Sequence, residues 1–306
     1  MKDKIYDVVI IGAGPSGLSA AIYTCRSLLK TLVLNSFTCP PQAVLTDMVE
    51  NYPGFPDGIN GFELIERMRQ QAEKFGCEFI NSEVAKIELK ENFLVYIQND
   101  IIETKSIIIA TGRRNKKLGL ENEEKFIGKG ISYCAVCDAA FFKDKTVAVV
   151  GGGDTAFSEA IFLCKFVKKL YLIHRRKEFR ATKILQERLR QKNNVEFFTP
   201  YVVERLVGED RVSGLVIKNI ETQQIKELVC DGMFVCVGHQ PNTEFLKGIL
   251  ELDEEGYVIT DENLQTSVKG IFACGDCRKN SVKQIVIAAA EGVKAALSVE
   301  KFLENK

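Results

Sequence analysis

Cys134-Ala135-Val136-Cys137-Asp138 places two thiols two residues apart, with a carboxylate directly after them. That spacing lets two sulfurs bridge and reopen. It reads as a redox-active disulfide, with Asp138 as the acid or base for a departing thiolate. Two glycine fingerprints lie on either side of it in the chain. Gly12-Ala13-Gly14-Pro15-Ser16-Gly17 comes after an apolar run and opens a small-residue stretch, the G-x-G-x-x-G arrangement that lays a pyrophosphate on a helix N-terminus. Gly12 permits the tight turn, Gly14 lets the backbone approach the phosphates, and Gly17 lets helix and strand pack closely. Gly151-Gly152-Gly153-Asp154-Thr155-Ala156 repeats the arrangement in its G-x-G-x-x-A form. One copy serves one nucleotide, so two copies imply two.

The residues downstream of each fingerprint separate the nucleotides. After the first, the next strand ends in Asn35-Ser36 instead of the usual ribose-binding acid, and an amide can still hydrogen-bond a hydroxyl. After the second come His174-Arg175-Arg176 and Arg180. A carboxylate there would repel a 2′-phosphate, whereas guanidinium groups hold one in bidentate fashion, so NADPH is expected over NADH. If the other site holds FAD, a hydride from NADPH has a route to the cysteine pair, and every motif is used.

These residues need elements to position them. Ile5–Ile11 predicts a buried strand, Ser16–Leu29 a helix and Thr31–Leu34 a second strand, and the order returns at Thr146–Val150, Thr155–Val167 and Lys169–Ile173. This is the βαβ unit of a doubly wound α/β sheet, present twice. Further apolar strands end at Ala110-Thr111-Gly112, at Gly238 and at Gly275-Asp276, and Gln284–Leu303 has helical apolar spacing.

The chain has 306 residues, a length that suits two domains, and its 41 Lys+Arg balance 41 Asp+Glu, unlike a nucleic-acid binder. No apolar run is long enough to span a membrane, and Lys2, Asp3, Lys4 and Asp7 do not read as a secretory leader. Ten cysteines are too sparse for a disulfide scaffold, so a cytoplasmic setting is expected. Cys274-Gly275-Asp276-Cys277 is a second C-x-x-C, which raises zinc as an alternative. Its place at a strand end, with Asp276 as a ribose or ribityl ligand, argues for no metal. Cys25, Cys39, Cys77, Cys164, Cys230 and Cys236 read as packing.

In order and spacing these motifs, together with Glu50-Asn51-Tyr52-Pro53-Gly54-Phe55, resemble those of low-molecular-weight, bacterial-type thioredoxin reductases along essentially the whole chain. The resemblance implies two Rossmann-like domains, with an NADPH domain (116–243) inserted into a discontinuous FAD domain (1–115 and 244–306). It also implies a homodimer, with oxidised thioredoxin as the protein substrate. Carried over by position, Gly12, Gly14, Pro15, Ser16, Gly17, Asn35, Thr111, Gly112, Gly275 and Asp276 would contact FAD. Gln42 and Asn51 would line the flavin, and the amides near Gln284 and Ile285 would face its pyrimidine. Gly151, Gly153, Asp154, Thr155, Ala156, His174, Arg175, Arg176 and Arg180 would hold NADPH. Cys134 and Cys137 would form the disulfide, with Asp138 as acid/base.

Three positions depart from the family pattern: Pro40-Pro41 where two glycines are usual, Ala139 in place of a glycine, and Cys277 after Gly-Asp. The alternative is a related flavin disulfide reductase that takes electrons from ferredoxin or serves another small redoxin. The intact Gly151–Ala156 fingerprint and its arginines count against a ferredoxin donor.

Overall fold

Ile5–Ile11 forms a central strand, and every side chain from Val8 to Ile11 is buried there. The computed structural model describes residues 4–36, 41–45, 49 and 51–305; Cys39, Pro40 and Glu50 lie outside them. The chain separates into two compact units, Met1–Arg114 with Gln240–Lys306, and Asn115–His239. The second crossing falls at 239/240, not at 243/244. Asn242 and Thr243 belong to the first unit because Asn242 N donates to Gly112 O (3.1 Å), its Nδ2 to Thr111 O (2.9 Å), and Thr243 Oγ1 to Gly256 O (2.6 Å).

In the first unit the strands Glu78–Asn81, Thr31–Asn35, Ile5–Ile11 and Asp100–Ile109 lie side by side and parallel. Asp100–Ile109 is long enough to serve two further partners. Its first half pairs antiparallel with Phe93–Ile97, which continues to Val84–Leu89, and its last residues pair parallel with Ile271–Ala273. Alternate residues sort to opposite faces: Val9, Ile11, Leu34 and Ile109 to one core, and Val8, Ile10, Val33 and Ile108 to the other. Both faces are apolar, as a parallel sheet covered on both sides requires.

Two helices pack tightly against each other in the second of these cores, Pro15–Arg26 and Ile285–Glu304. The buried face of the latter is Ala288, Ala289, Gly292, Ala295, Ala296 and Val299, all small. A Cβ on Gly292 would sit 2.0 Å from Ser16 O, a backbone atom that cannot yield without moving the fingerprint helix. Gly292→Ala is therefore expected to cost about 1–3 kcal/mol through overpacking. An unchanged urea midpoint would contradict that contact.

Helix Pro15–Arg26 ends three residues before the expected Leu29. Leu28 adopts φ 61°, and Leu28 N and Leu29 N turn back to Cys25 O and Thr24 O (3.0 Å each). Such a left-handed cap stops a helix although the residues remain apolar.

In the second unit five parallel strands lie in the order Val195–Phe198, Lys169–Ile173, Thr146–Gly151, Gly232–Cys236 and Ile131–Ser132. A separate antiparallel sheet of Tyr201–Val207, Gly214–Asn219 and Ile225–Val229 completes the unit. No helix among the described residues is long and apolar enough to cross a membrane.

Candidate active site

The first fingerprint sits where strand Ile5–Ile11 meets helix Pro15–Arg26. A Cβ on Gly12 would lie 2.2 Å from Ala110 O, and one on Gly17 would lie 1.9 Å from Gly12 O, so both positions exclude any side chain. Gly14 differs, because a Cβ there would meet only the Pro41 ring, at 3.9 Å. The helix has no side-chain cap and no acidic residue in its first turn, and Pro15 brings no N–H. Its Ser16 and Gly17 N–H groups face the unpaired end that suits an anion. Tight packing at Gly12 and Gly17, with open space at Gly14, fits a pyrophosphate cradle.

Around this cradle the fold gathers several residues named from sequence. Asn51 Nδ2 donates to Gln284 Oε1 (3.0 Å), joining two positions far apart in the chain. Gln284 stands at the N-cap of helix Ile285–Glu304, and Gln42 opens the short turn Gln42–Leu45. Asn35 closes its strand and donates from Nδ2 to Asn81 Oδ1 (3.2 Å). Gly112 holds φ 62° just past strand Asp100–Ile109. Gly275 holds φ 76°, and a Cβ there would press on Ser16 Oγ at 2.6 Å, so the turn before Asp276 rests on the fingerprint helix.

Three groups near Asp276 were not read from the sequence. Arg113 Nε lies 3.0 Å from Asp276 Oδ2. Burial pushes the Asp276 carboxyl above its ordinary range, and the Arg113 and Lys283 charges oppose that push. Glu291 accepts from Gly275 N (2.7 Å) and pairs with Arg278 (2.6 Å), so helix Ile285–Glu304 holds the turn by its carboxylate.

The second fingerprint has the same plan. A Cβ on Gly151 would lie 2.4 Å from Cys236 O, whereas one on Gly153 would meet nothing within 4 Å. Asp154 Oδ1 accepts from Thr182 N (2.6 Å), and Gly152 O accepts from Arg180 N (2.8 Å) and Ala181 N (3.0 Å). The arginine-bearing segment is thereby tied to the glycine turn. Gly152, passed over as the variable position, must be glycine, since a Cβ would lie 2.4 Å from the His174 ring. His174 is buried, and burial, with the neighbouring arginine charges, pushes its pKa down. Its ring packs against Gly152 and against the Phe179 ring (centroids 5.5 Å apart). Arg175, Arg176 and Arg180 are exposed and make no ion pair among the described residues, although neighbouring Lys177 pairs with Glu221.

Cys134 lies in the same unit and is disulfide-bonded. Ser132 Oγ accepts from Cys134 N (3.0 Å) and donates to Cys134 O (3.2 Å), fixing the chain before the short helix Ala135–Asp138. Ala139 is buried at the start of the next turn. Beneath the helix, Glu159 accepts from Ala135 N–H and from Cys236 Sγ (2.9 Å). Burial pushes the Glu159 carboxyl above the ordinary range, against those two hydrogen bonds. A raised carboxylate pKa adds stability at low pH that is lost as pH climbs through the folded value. Wild type should therefore weaken relative to Glu159→Gln as pH rises from the ordinary carboxylate range, by at most about 1.4 kcal/mol per pH unit. Parallel curves of urea midpoint against pH would contradict this.

Cys274 and Cys277 are both fully buried, but they belong to cores on opposite faces of the first unit's sheet. They do not form one site, and Cys277 is a packing residue whose thiol burial pushes up. Among the described residues no three His, Cys, Asp or Glu side chains cluster to hold a metal.

The model of the pyridine nucleotide-disulphide oxidoreductase family matches residues 6–292. A thioredoxin reductase of Peptoclostridium litorale is 41% identical over 99% of this chain and 98% of its own. One from Rickettsia typhi is 43% identical over 97% and 98%. Among solved structures, a Lactococcus lactis thioredoxin reductase in its FR conformation superposes with a TM-score of 0.91 at 39% identity, covering 98% of this chain and 100% of that one.

Proposed function

Because the chain belongs to the pyridine nucleotide-disulphide oxidoreductases, among their thioredoxin reductases, we propose that it reduces oxidised thioredoxin at the expense of NADPH. Family membership makes it an oxidoreductase with a flavin and a nicotinamide cofactor. The finer assignment is FAD in the first unit and NADPH in the second. The observation that carries it is a disulfide at Cys134 in the same unit as a glycine turn that Arg180 N–H bonds, next to Arg175 and Arg176, none of the three arginines making an ion pair among the described residues.

Gly12, Gly14, Pro15, Ser16 and Gly17 would hold the FAD pyrophosphate, with Asn35, Thr111, Gly112, Gly275 and Asp276 along its sugar and ribityl parts. Gln42, Asn51, Gln284 and Ile285 would border the ring. Gly151, Gly153, Asp154, Thr155 and Ala156 would seat the NADPH pyrophosphate, with His174 packed beneath and Arg175, Arg176 and Arg180 on the 2′-phosphate. A bound flavin supplies the means to take a hydride from nicotinamide and hand an electron pair to a disulfide.

On the chain itself, the proposed Cys134–Cys137 bond opens on receiving two electrons, and Asp138 moves the proton that a departing thiolate needs. The resulting dithiol then exchanges with the disulfide of thioredoxin, whose two sulfurs leave reduced. The homodimer implied by the resemblance is part of the same proposal and is checked by sedimentation. The test is NADPH consumption with a panel of oxidised redoxins. Thioredoxin is expected to sustain turnover; consumption with none of them would overturn the reading.

A further inference from the structure

We propose that Cys25 and Cys77 form a second oxidisable dithiol, which a hydroperoxide converts to a disulfide within the first unit, apart from the Cys134 centre. Both thiols are free and belong to one core cluster, with residual exposures of 6% and 7%. Strand pairing brings them together. The parallel register sets Leu32 opposite Glu78, the residues that directly follow Thr31 and Cys77. Thr31 Oγ1 donates to Thr24 Oγ1 (2.9 Å), in the last turn of the helix that ends at Arg26, one residue past Cys25. The left-handed Leu28 folds the chain back to make this possible. The Arg26 guanidinium lies over the Phe75 ring (5.6 Å), holding the helix end against the segment that leads into Cys77.

The two thiols interact side chain to side chain, and Cys77 Sγ also donates to Glu78 O (3.5 Å). Their contact holds the Cys25 thiol below its ordinary value, against burial, while the same contact and burial push Cys77 up. The pair thus has a nucleophile and a resolving thiol already in contact. The lone thiols of the second unit contrast with it. Burial pushes Cys164 up to about 11 and Cys230 up to about 12.

The chemistry balances with the peroxide as sole oxidant. The Cys25 thiolate attacks one peroxide oxygen, an S–O bond forms, and the O–O bond breaks. The alcohol or water that leaves takes up a proton. Cys77 sulfur then attacks the Cys25 sulfenic sulfur, the S–S bond forms and the S–O bond breaks. The departing hydroxide leaves as water with the Cys77 proton. In sum, two thiols and one hydroperoxide give a disulfide, an alcohol or water, and a water.

The test is a titration of the flavin-loaded enzyme with hydrogen peroxide, then alkylation and tryptic mass spectrometry. Segments 5–26 and 75–86 each carry a single cysteine. They are expected to become joined at doses that leave Cys164 and Cys230 alkylatable, and to separate again with dithiothreitol. In Cys77→Ser, Cys25 should stop at a sulfenic acid that dimedone traps. Cys25 and Cys77 both remaining alkylatable in wild type at a dose that oxidises Cys164 would overturn the proposal. So would oxidation of either without the joined peptide.

Discussion

Cys134→Ser and Cys137→Ser should each lower NADPH-driven reduction of thioredoxin by at least about 10³-fold, with bleaching of the flavin by NADPH intact. A hydroxyl can neither form the disulfide nor accept an electron pair at sulfur, so the loss is of a chemical step and not of affinity. Stability should change little, because the backbone around Cys134 is held by the Ser132 hydroxyl and by the Glu159 carboxylate at Ala135 N–H, neither of which uses a sulfur of the C-x-x-C pair. Rapid-mixing absorbance separates the two half-reactions. Undiminished thioredoxin turnover in either variant would remove the disulfide from the path.

The second large effect is expected at the arginines. Arg175, Arg176 and Arg180 are exposed and make no ion pair among the described residues, so their charges are available to a phosphate without breaking an existing bridge. His174 adds no charge, since burial favours its neutral form. Charge-assisted bonds discounted for exposure sum to on the order of 2–4 kcal/mol. Alanine at Arg175 and Arg176 together, with Arg180→Ala added, should lower kcat/KM for NADPH by roughly 30- to 700-fold. The value for NADH, which lacks the 2′-phosphate, should stay nearly constant. Equal losses for both nucleotides would place the arginines elsewhere in function.

Features imposed locally were legible from the residues. A G-x-G-x-x-G turn is legible because its constraints lie within six positions: Gly17 must clear Gly12 O, and Gly14 must stay open. The C-x-x-C pair is legible for the same reason. Glu291, Arg113 and Glu159 were not, since each works across a long stretch of chain on a partner that only the fold supplies. The run Leu28-Leu29 looked like more helix, because apolar spacing does not reveal a left-handed cap. His174 was grouped with its basic neighbours; its burial depends on Gly152 lacking a side chain, and the three successive glycines were the available signal. The strands Val84–Leu89 and Tyr201–Val207 escaped because they are partly exposed and do not alternate cleanly.

The most direct measurement tracks the visible absorbance of the purified protein under anaerobic conditions, first with NADPH and then with oxidised thioredoxin. Flavin absorbance should fall on the first addition and return on the second, as two thiols appear on thioredoxin for each NADPH consumed. A protein that stays colourless and takes up no FAD, or one whose bleached flavin is not restored by thioredoxin, would contradict electron transfer between the two units' cofactors and the disulfide.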